Sequence, residues 1–207
     1  MFDPIFFLRI PAILLALTIH ELAHAYVALY LGDRTAQQEG RITLNPLSHQ
    51  DVFGTLMLFF GPFGWAKPVP VNPYNFANPK KDMAFVAAAG PLANIALAAL
   101  AGLSFRIGLA YTNQALANFT FILFQINIGL AVFNLLPIYP LDGSRVLVAF
   151  LNRHQTDRYL QAMTVVPKLF LAMIVIGWIL NVPILGYILS PLFTPVFRFA
   201  RAIFIGS

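Results

Sequence analysis

The chain has 207 residues, of which 59% are hydrophobic and 10% charged, with a formal net charge of +5 and no cysteine; its mean hydropathy is +0.75. Soluble domains run at about 45–50% apolar and about 25% charged residues, and a small soluble fold leaves too much of its surface in water to hide this much apolar area. The composition excludes a soluble enzyme, a disordered tail and a secreted disulfide scaffold, and it predicts a single polytopic membrane domain. The basic residues are scattered among apolar segments, as topology signals are, so no nucleic-acid partner is expected.

A bilayer core about 30 Å thick takes roughly 20 apolar residues in a helix. The first such stretch is Ile5–Leu31, ended by Gly32-Asp33. Asp3 precedes it and no basic segment does, so no cleaved signal peptide is expected there. Between Asp33 and Asp82 the chain changes character. Arg41–Leu44 reads as a short strand and Val69–Val71 as an extended segment, while Pro62, Pro68, Pro70, Pro73 and Pro79 forbid a continuous helix. Val52–Phe63 is apolar but too short to span, which predicts a re-entrant or interfacial piece at about 52–64. Further spans are predicted at Met83–Phe105 and Ala115–Leu136, neither with an ionisable residue.

The apolar stretch from Tyr159 to Ile205 admits a single span at Leu169–Leu189. It also admits two, Leu160–Leu180 and Ile184–Ile205, around a turn at Asn181-Val182-Pro183. The positive-inside rule puts Arg34, Arg41, Lys67, Lys80 and Lys81 on the cytoplasmic side, together with Arg145, Arg153, Arg158 and Lys168. The N-terminus is then outside, and two final spans keep Arg198 and Arg201 inside as well. The expected fold is all-α, with about five to six transmembrane helices and a short β-ribbon or re-entrant segment between the first two spans.

Ionisable residues inside a span are expensive and by default mark function. The first span carries His20-Glu21-Leu22-Ala23-His24. Histidines at i and i+4 lie about 40° apart around a helix and about 6 Å apart along it, so both imidazoles can reach one metal ion. Glu21 is offset by about 100°, close enough to hold a water without ligating. This is the H-E-x-x-H arrangement of two zinc-binding histidines and a glutamate general base. Catalytic zinc normally takes a third protein ligand. The best candidate is Asp142, after Asn134-Leu135-Leu136-Pro137-Ile138-Tyr139-Pro140-Leu141 and before Gly143, where two prolines break the helix. Asp142 also suits the N-cap of a following helix at Gly143–Asn152.

These motifs together resemble the site-2 protease family of intramembrane zinc metalloproteases. Gly90-Pro91-Leu92-Ala93-Asn94, Gly40–Pro46 and Phe63–Val71 extend the resemblance, which runs from about residue 15 to 150. It implies one zinc ion held by His20, His24 and Asp142, with Glu21 activating a water, and hydrolysis of a membrane-embedded protein substrate near the cytoplasmic face. The chain resembles the short branch without a PDZ or regulatory domain, and a prokaryotic cytoplasmic membrane is the expected location. The resemblance favours substrate or oxyanion support by Asn94 and Asn134; interhelical hydrogen bonding is the plainer role for both. His49 is either a regulatory metal contact or an interfacial hydrogen-bonder. A metal transporter and a proteolytically inactive scaffold for transmembrane clients are the competing functions.

Overall fold

The computed structural model describes residues 4–51, 54 and 66–206. Helix α1 runs Pro4–Tyr30 and is followed by the single turn α2, Thr35–Gln38. The long helices α3 (Pro79–Arg106) and α4 (Gln114–Asn134) come next. After them the chain forms α5 (Asp142–Phe150), α6 (Arg153–Ala162), α7 (Val166–Ile179) and α8 (Ile184–Phe204).

Local chemistry sets these boundaries. Pro79 occupies the first turn of α3, where its missing N–H is no loss. The Asn113 side chain accepts from the Ala115 and Leu116 amides and caps α4, and Asn152 and Gln155 form a capping box on α6. The chain reverses between α7 and α8 at Asn181, whose φ is 53°.

Helices α1, α3 and α4 form an antiparallel three-helix core. Ala12, Ala98 and Ala101 are buried together with Ile122, Leu123, Phe124 and Ile128. Small residues let membrane helices approach closely where lipid leaves no hydrophobic driving force between them. One end of this core holds the last turns of α1 and α4 and the start of α3. Lys80 Nζ donates to the Leu151 carbonyl there and ties α3 to the end of α5.

Four helical stretches are long and apolar enough to cross a membrane: Phe6–Tyr30, Pro79–Arg106, Gln114–Asn134 and Arg153–Ile179. Helix α8 has the length, but it contains Pro191, Pro195 and two arginines. The expectation for Arg198 and Arg201 is corrected. Arg106, which ends α3, donates to the carbonyls of Phe204 (3.2 Å), Ala202 (3.2 Å) and Ile203 (2.6 Å). Val196, Phe197, Ala200 and Phe204 pack among Leu8, Ala12, Ala98 and Leu123. The last turns of α8 therefore lie at the opposite end of the core from Lys80 and Lys81, because a cation beside unpaired helix-terminal carbonyls outweighs the sequence-level charge rule.

Arg41–Leu44 runs in bends, not a strand, and the described residues hold no strand. They contain one antiparallel bridge, Gln50 to Ala66. Except for Gly54, the re-entrant piece expected at 52–64 lies outside the described residues. The irregular connection is anchored by Asp33, whose carboxylate accepts from the Thr35 amide (3.0 Å) and hydroxyl (2.5 Å), the Asn72 amide (2.8 Å) and Asn75 Nδ2 (2.7 Å). Burial pushes the Asp33 carboxyl up, and these donors more than offset it, holding it below the usual carboxylate range.

Replacing Arg106 with Met keeps the aliphatic stem and removes three hydrogen bonds to the end of α8. The expected cost is about 1–2 kcal/mol, read as a lower thermal midpoint in detergent with earlier proteolysis within α8.

Candidate metal centre

The one-turn spacing on α1 places the His20 and His24 rings edge to face, with centroids 4.6 Å apart. Each ring is fixed by a bond from Nδ1 to α3. His24 Nδ1 lies 2.7 Å from the Val86 carbonyl, which can only accept, so Nδ1 carries the proton. His20 Nδ1 lies 2.6 Å from Asn94 Oδ1. The Asn94 amide group donates to the Ala16 carbonyl (3.2 Å) and to Asn127 Oδ1 (2.7 Å), which orients Oδ1 as the acceptor from His20.

These assignments leave both Nε2 atoms as lone-pair bearers in the neutral rings, and they sit 3.0 Å apart. Asp142 Oδ2 joins them, 3.2 Å from His20 Nε2 and 3.4 Å from His24 Nε2. It is buried and has no aligned hydrogen bond. Three acceptors thus converge with their ligating atoms within 4.8 Å of one another. Such a cluster requires a positive charge at its centre, and a divalent cation satisfies all three atoms at once. The residues fit zinc: two imidazoles and a carboxylate are an established catalytic donor set, and Nδ1 bonds to an amide and a carbonyl are how ligating histidines are held. Burial pushes the Asp142 carboxyl up, and positive charge facing it, whether on protonated His20 and His24 or on a cation in their midst, more than offsets this and holds it below the usual carboxylate range.

Asp142 is the first residue of α5, and the cap position before it is held by Leu141. The break after α4 turns it back onto α1. A Cβ on Gly143 would run into the Leu135 and Leu136 carbonyls, so only glycine lets α5 start this close to the end of α4. Gly90 forms the floor of the centre. A Cβ there would lie 2.5 Å from His24 Nε2 and 2.7 Å from His20 Nε2.

Glu21, next to His20 on α1, is not among the three converging donors, and its Oε2 accepts from the Val69 amide at 3.0 Å. Asn94 is fully buried and both of its amide hydrogens are engaged, which leaves no donor for an oxyanion. Asn134 donates to Leu130 within its own helix at 3.1 Å and is not brought to the histidines. His49 is fully buried and is not among the three converging donors. Its Nε2 donates to the Thr43 carbonyl at 2.9 Å. Asn127 is absent from the sequence-level candidates, although an amide in the middle of the apolar α4 was a visible signal. It is fully buried, and its own Nδ2 donates to the Leu123 carbonyl at 2.8 Å.

The fold and the centre define an integral membrane protein with a buried His-His-carboxylate site on membrane-length helices. The family model described as Peptidase family M50 matches residues 103–176. The chain is 43% identical over 142 residues to YwhC of Bacillus subtilis, provisionally named a zinc metalloprotease, with 65% of each chain covered. It is 33% identical over 190 residues to the similarly named Rip2 of Mycobacterium tuberculosis H37Rv, covering 86% of this chain and 72% of Rip2. No solved structure matches. The chain belongs to peptidase family M50, and the resemblance read from its motifs is borne out. It spans just under two thirds of the length of YwhC.

Two substitutions test the support of the centre. Gly90→Ala should displace both imidazoles, and Asn94→Ala should free the His20 ring. Each is expected to weaken zinc affinity about 10–100-fold, measured by chelator competition on folded protein in detergent.

Proposed function

We propose that the protein is an intramembrane zinc endopeptidase that hydrolyses a peptide bond in or near a transmembrane segment of a membrane protein. The observation that carries this reading is the convergence of three proton-free acceptors, His20, His24 and Asp142, beside an acidic residue that does not ligate. His24 lies six residues before the end of α1, about 9 Å along the helix axis, so the centre is below the membrane surface and near one face. We take that face as cytoplasmic, with the N-terminus outside, in a prokaryotic cytoplasmic membrane.

His20, His24 and Asp142 would hold one zinc ion, which when bound lowers the pKa of water and polarises a carbonyl. Glu21 takes the proton from the attacking water and delivers it to the leaving amide nitrogen. Asn94 and the Val86 carbonyl orient the two imidazoles, so Asn94 acts through His20. Asn134, whose amide donates within its own helix, has the plainer structural role of the two expected for it. A helical substrate has its amides engaged in i→i−4 bonds and must unwind locally before attack. The connection from Gly40 to Val71, which reaches Glu21 through the Val69 amide, is where the unwound chain would be held.

A scaffold function needs no general base, and the Glu21 carboxylate held beside the donors favours hydrolysis. The test is zinc per chain together with cleavage of a transmembrane substrate. Wild type should carry about one zinc, with weakened binding in His20→Ala and Asp142→Ala. Glu21→Gln should keep its zinc and lose about 10²–10⁴-fold in cleavage. Zinc retained in Asp142→Ala would remove that residue from the ligand set. Metal transport into proteoliposomes that survives Glu21→Gln would replace the peptidase reading with a transporter.

A further inference from the structure

The connection between α2 and α3 contains a buried cation that the metal centre does not use. Arg41 is 4% exposed, and among the described residues it forms no ion pair with a carboxylate. Its Nη2 donates to the Lys67 carbonyl at 2.7 Å and its Nη1 to the Pro68 carbonyl at 3.3 Å, while Nε is buried without a partner among the described residues. Burying a charge without an opposite charge is costly. A neutral donor would suffice if the only purpose were to tie down a loop.

What the two carbonyls lead to explains the cation. The Pro68 carbonyl and the Val69 N–H belong to one planar peptide unit. That unit is bonded at its oxygen by Arg41 and at its N–H by Glu21 Oε2. The peptide dipole therefore lies between a cation and an anion, with its negative end on the guanidinium and its positive end on the carboxylate. Hydrogen bonds in such a chain polarise and strengthen one another. Pro68 and Pro70 flank Val69 and have no N–H, so the segment can offer the base only one donor. The rest of the segment is held as well: the Lys67 amide donates to the His49 carbonyl at 2.8 Å, and the Asn72 amide to Asp33 at 2.8 Å.

We infer that Arg41 is a positioning residue for the general base: it sets the Pro68–Val69 peptide so that the Val69 N–H holds the Glu21 carboxylate beside the metal centre. The inference rests on the peptidase reading for its consequence in turnover, but its geometry can be tested without cleavage. In protein labelled with ¹⁵N-valine, the Val69 amide proton should move upfield on Glu21→Gln, as the anionic acceptor is lost. In an Arg41→Met background the same substitution should move it much less. A response undiminished by Arg41→Met would overturn the inference.

With a cleavable transmembrane substrate, Arg41→Met should lower kcat about tenfold or more, within the 10²–10⁴ that a general base supplies. KM and zinc per chain should stay unchanged. Arg41→Lys should recover part of kcat, because an ammonium still reaches one carbonyl. An unchanged kcat would overturn the inference, as would a loss carried by KM or accompanied by loss of zinc; in those cases Arg41 serves the substrate or the fold. An Arg41-dependent Val69 response in a zinc-loaded wild type that cleaves no substrate would leave the inference standing and remove the peptidase reading.

Discussion

Three acceptor atoms that face one another without a proton between them are the constraint on which the structure depends. His20 Nε2, His24 Nε2 and Asp142 Oδ2 lie 3.0–3.4 Å apart and are largely buried. An uncompensated cluster of this kind would drive the helices apart. A bound cation reverses the sign of the interaction, and the same three side chains then join α1 to the start of α5. On the proposed zinc reading, the metal's binding energy would become bundle stability, as it does wherever a ligand favours the folded state alone.

The rest of the core keeps those atoms in place. His20 donates to Asn94 on α3, Asn94 to Asn127 on α4, and Asn127 to the Leu123 carbonyl of its own helix. Each donor in this relay has an acceptor, so three polar side chains are buried with their exchangeable groups matched. In lipid an interhelical hydrogen bond is worth only about 0.6–2 kcal/mol, too little to explain assembly. Its greater effect is on register, because sliding α3 by one residue would break the Asn94 contacts to α1 and α4 together. Gly90 adds a steric condition: the α3 backbone passes so close to both imidazoles that no side chain fits between.

The three residues that converge in the structure were visible in the sequence for different reasons: His20 and His24 because ionisable groups inside an apolar span are costly, and Asp142 because two prolines break the chain just before it. The membrane helices were legible from apolar length, with α1, α3 and α4 ending within a few residues of the predicted limits. Asn94 was visible, but its role was not. An amide can serve an oxyanion or a ligand, and only the engagement of both its hydrogens decides. Asn127 carried the same signal and went unread. The loop was least legible: Arg41–Leu44 has strand-like residues but no partner ladder, and its backbone is set by the Arg41 and Asp33 side chains, which sequence periodicity does not register. Arg198 and Arg201 illustrate a limit of charge counting, since the end of α8 is placed by Arg106 meeting its last carbonyls.

The proposed ligands and the proposed base are supported in different ways. His20 and His24 sit on α1 and are oriented by α3, and Asp142 is delivered by the turn between α4 and α5, so the metal donors depend on helix packing. Glu21 starts on the same rigid helix, yet its carboxylate is held by the Val69 amide of an irregular segment clamped by Arg41 and Asp33. Helices pack with few soft degrees of freedom, whereas connecting segments open at lower free energy. A displacement of the Lys67–Asn72 segment would therefore release the base without disturbing the metal donors. Changes in that connection can alter turnover while metal affinity stays constant, and changes at Gly90 or Asn94 act on the metal first.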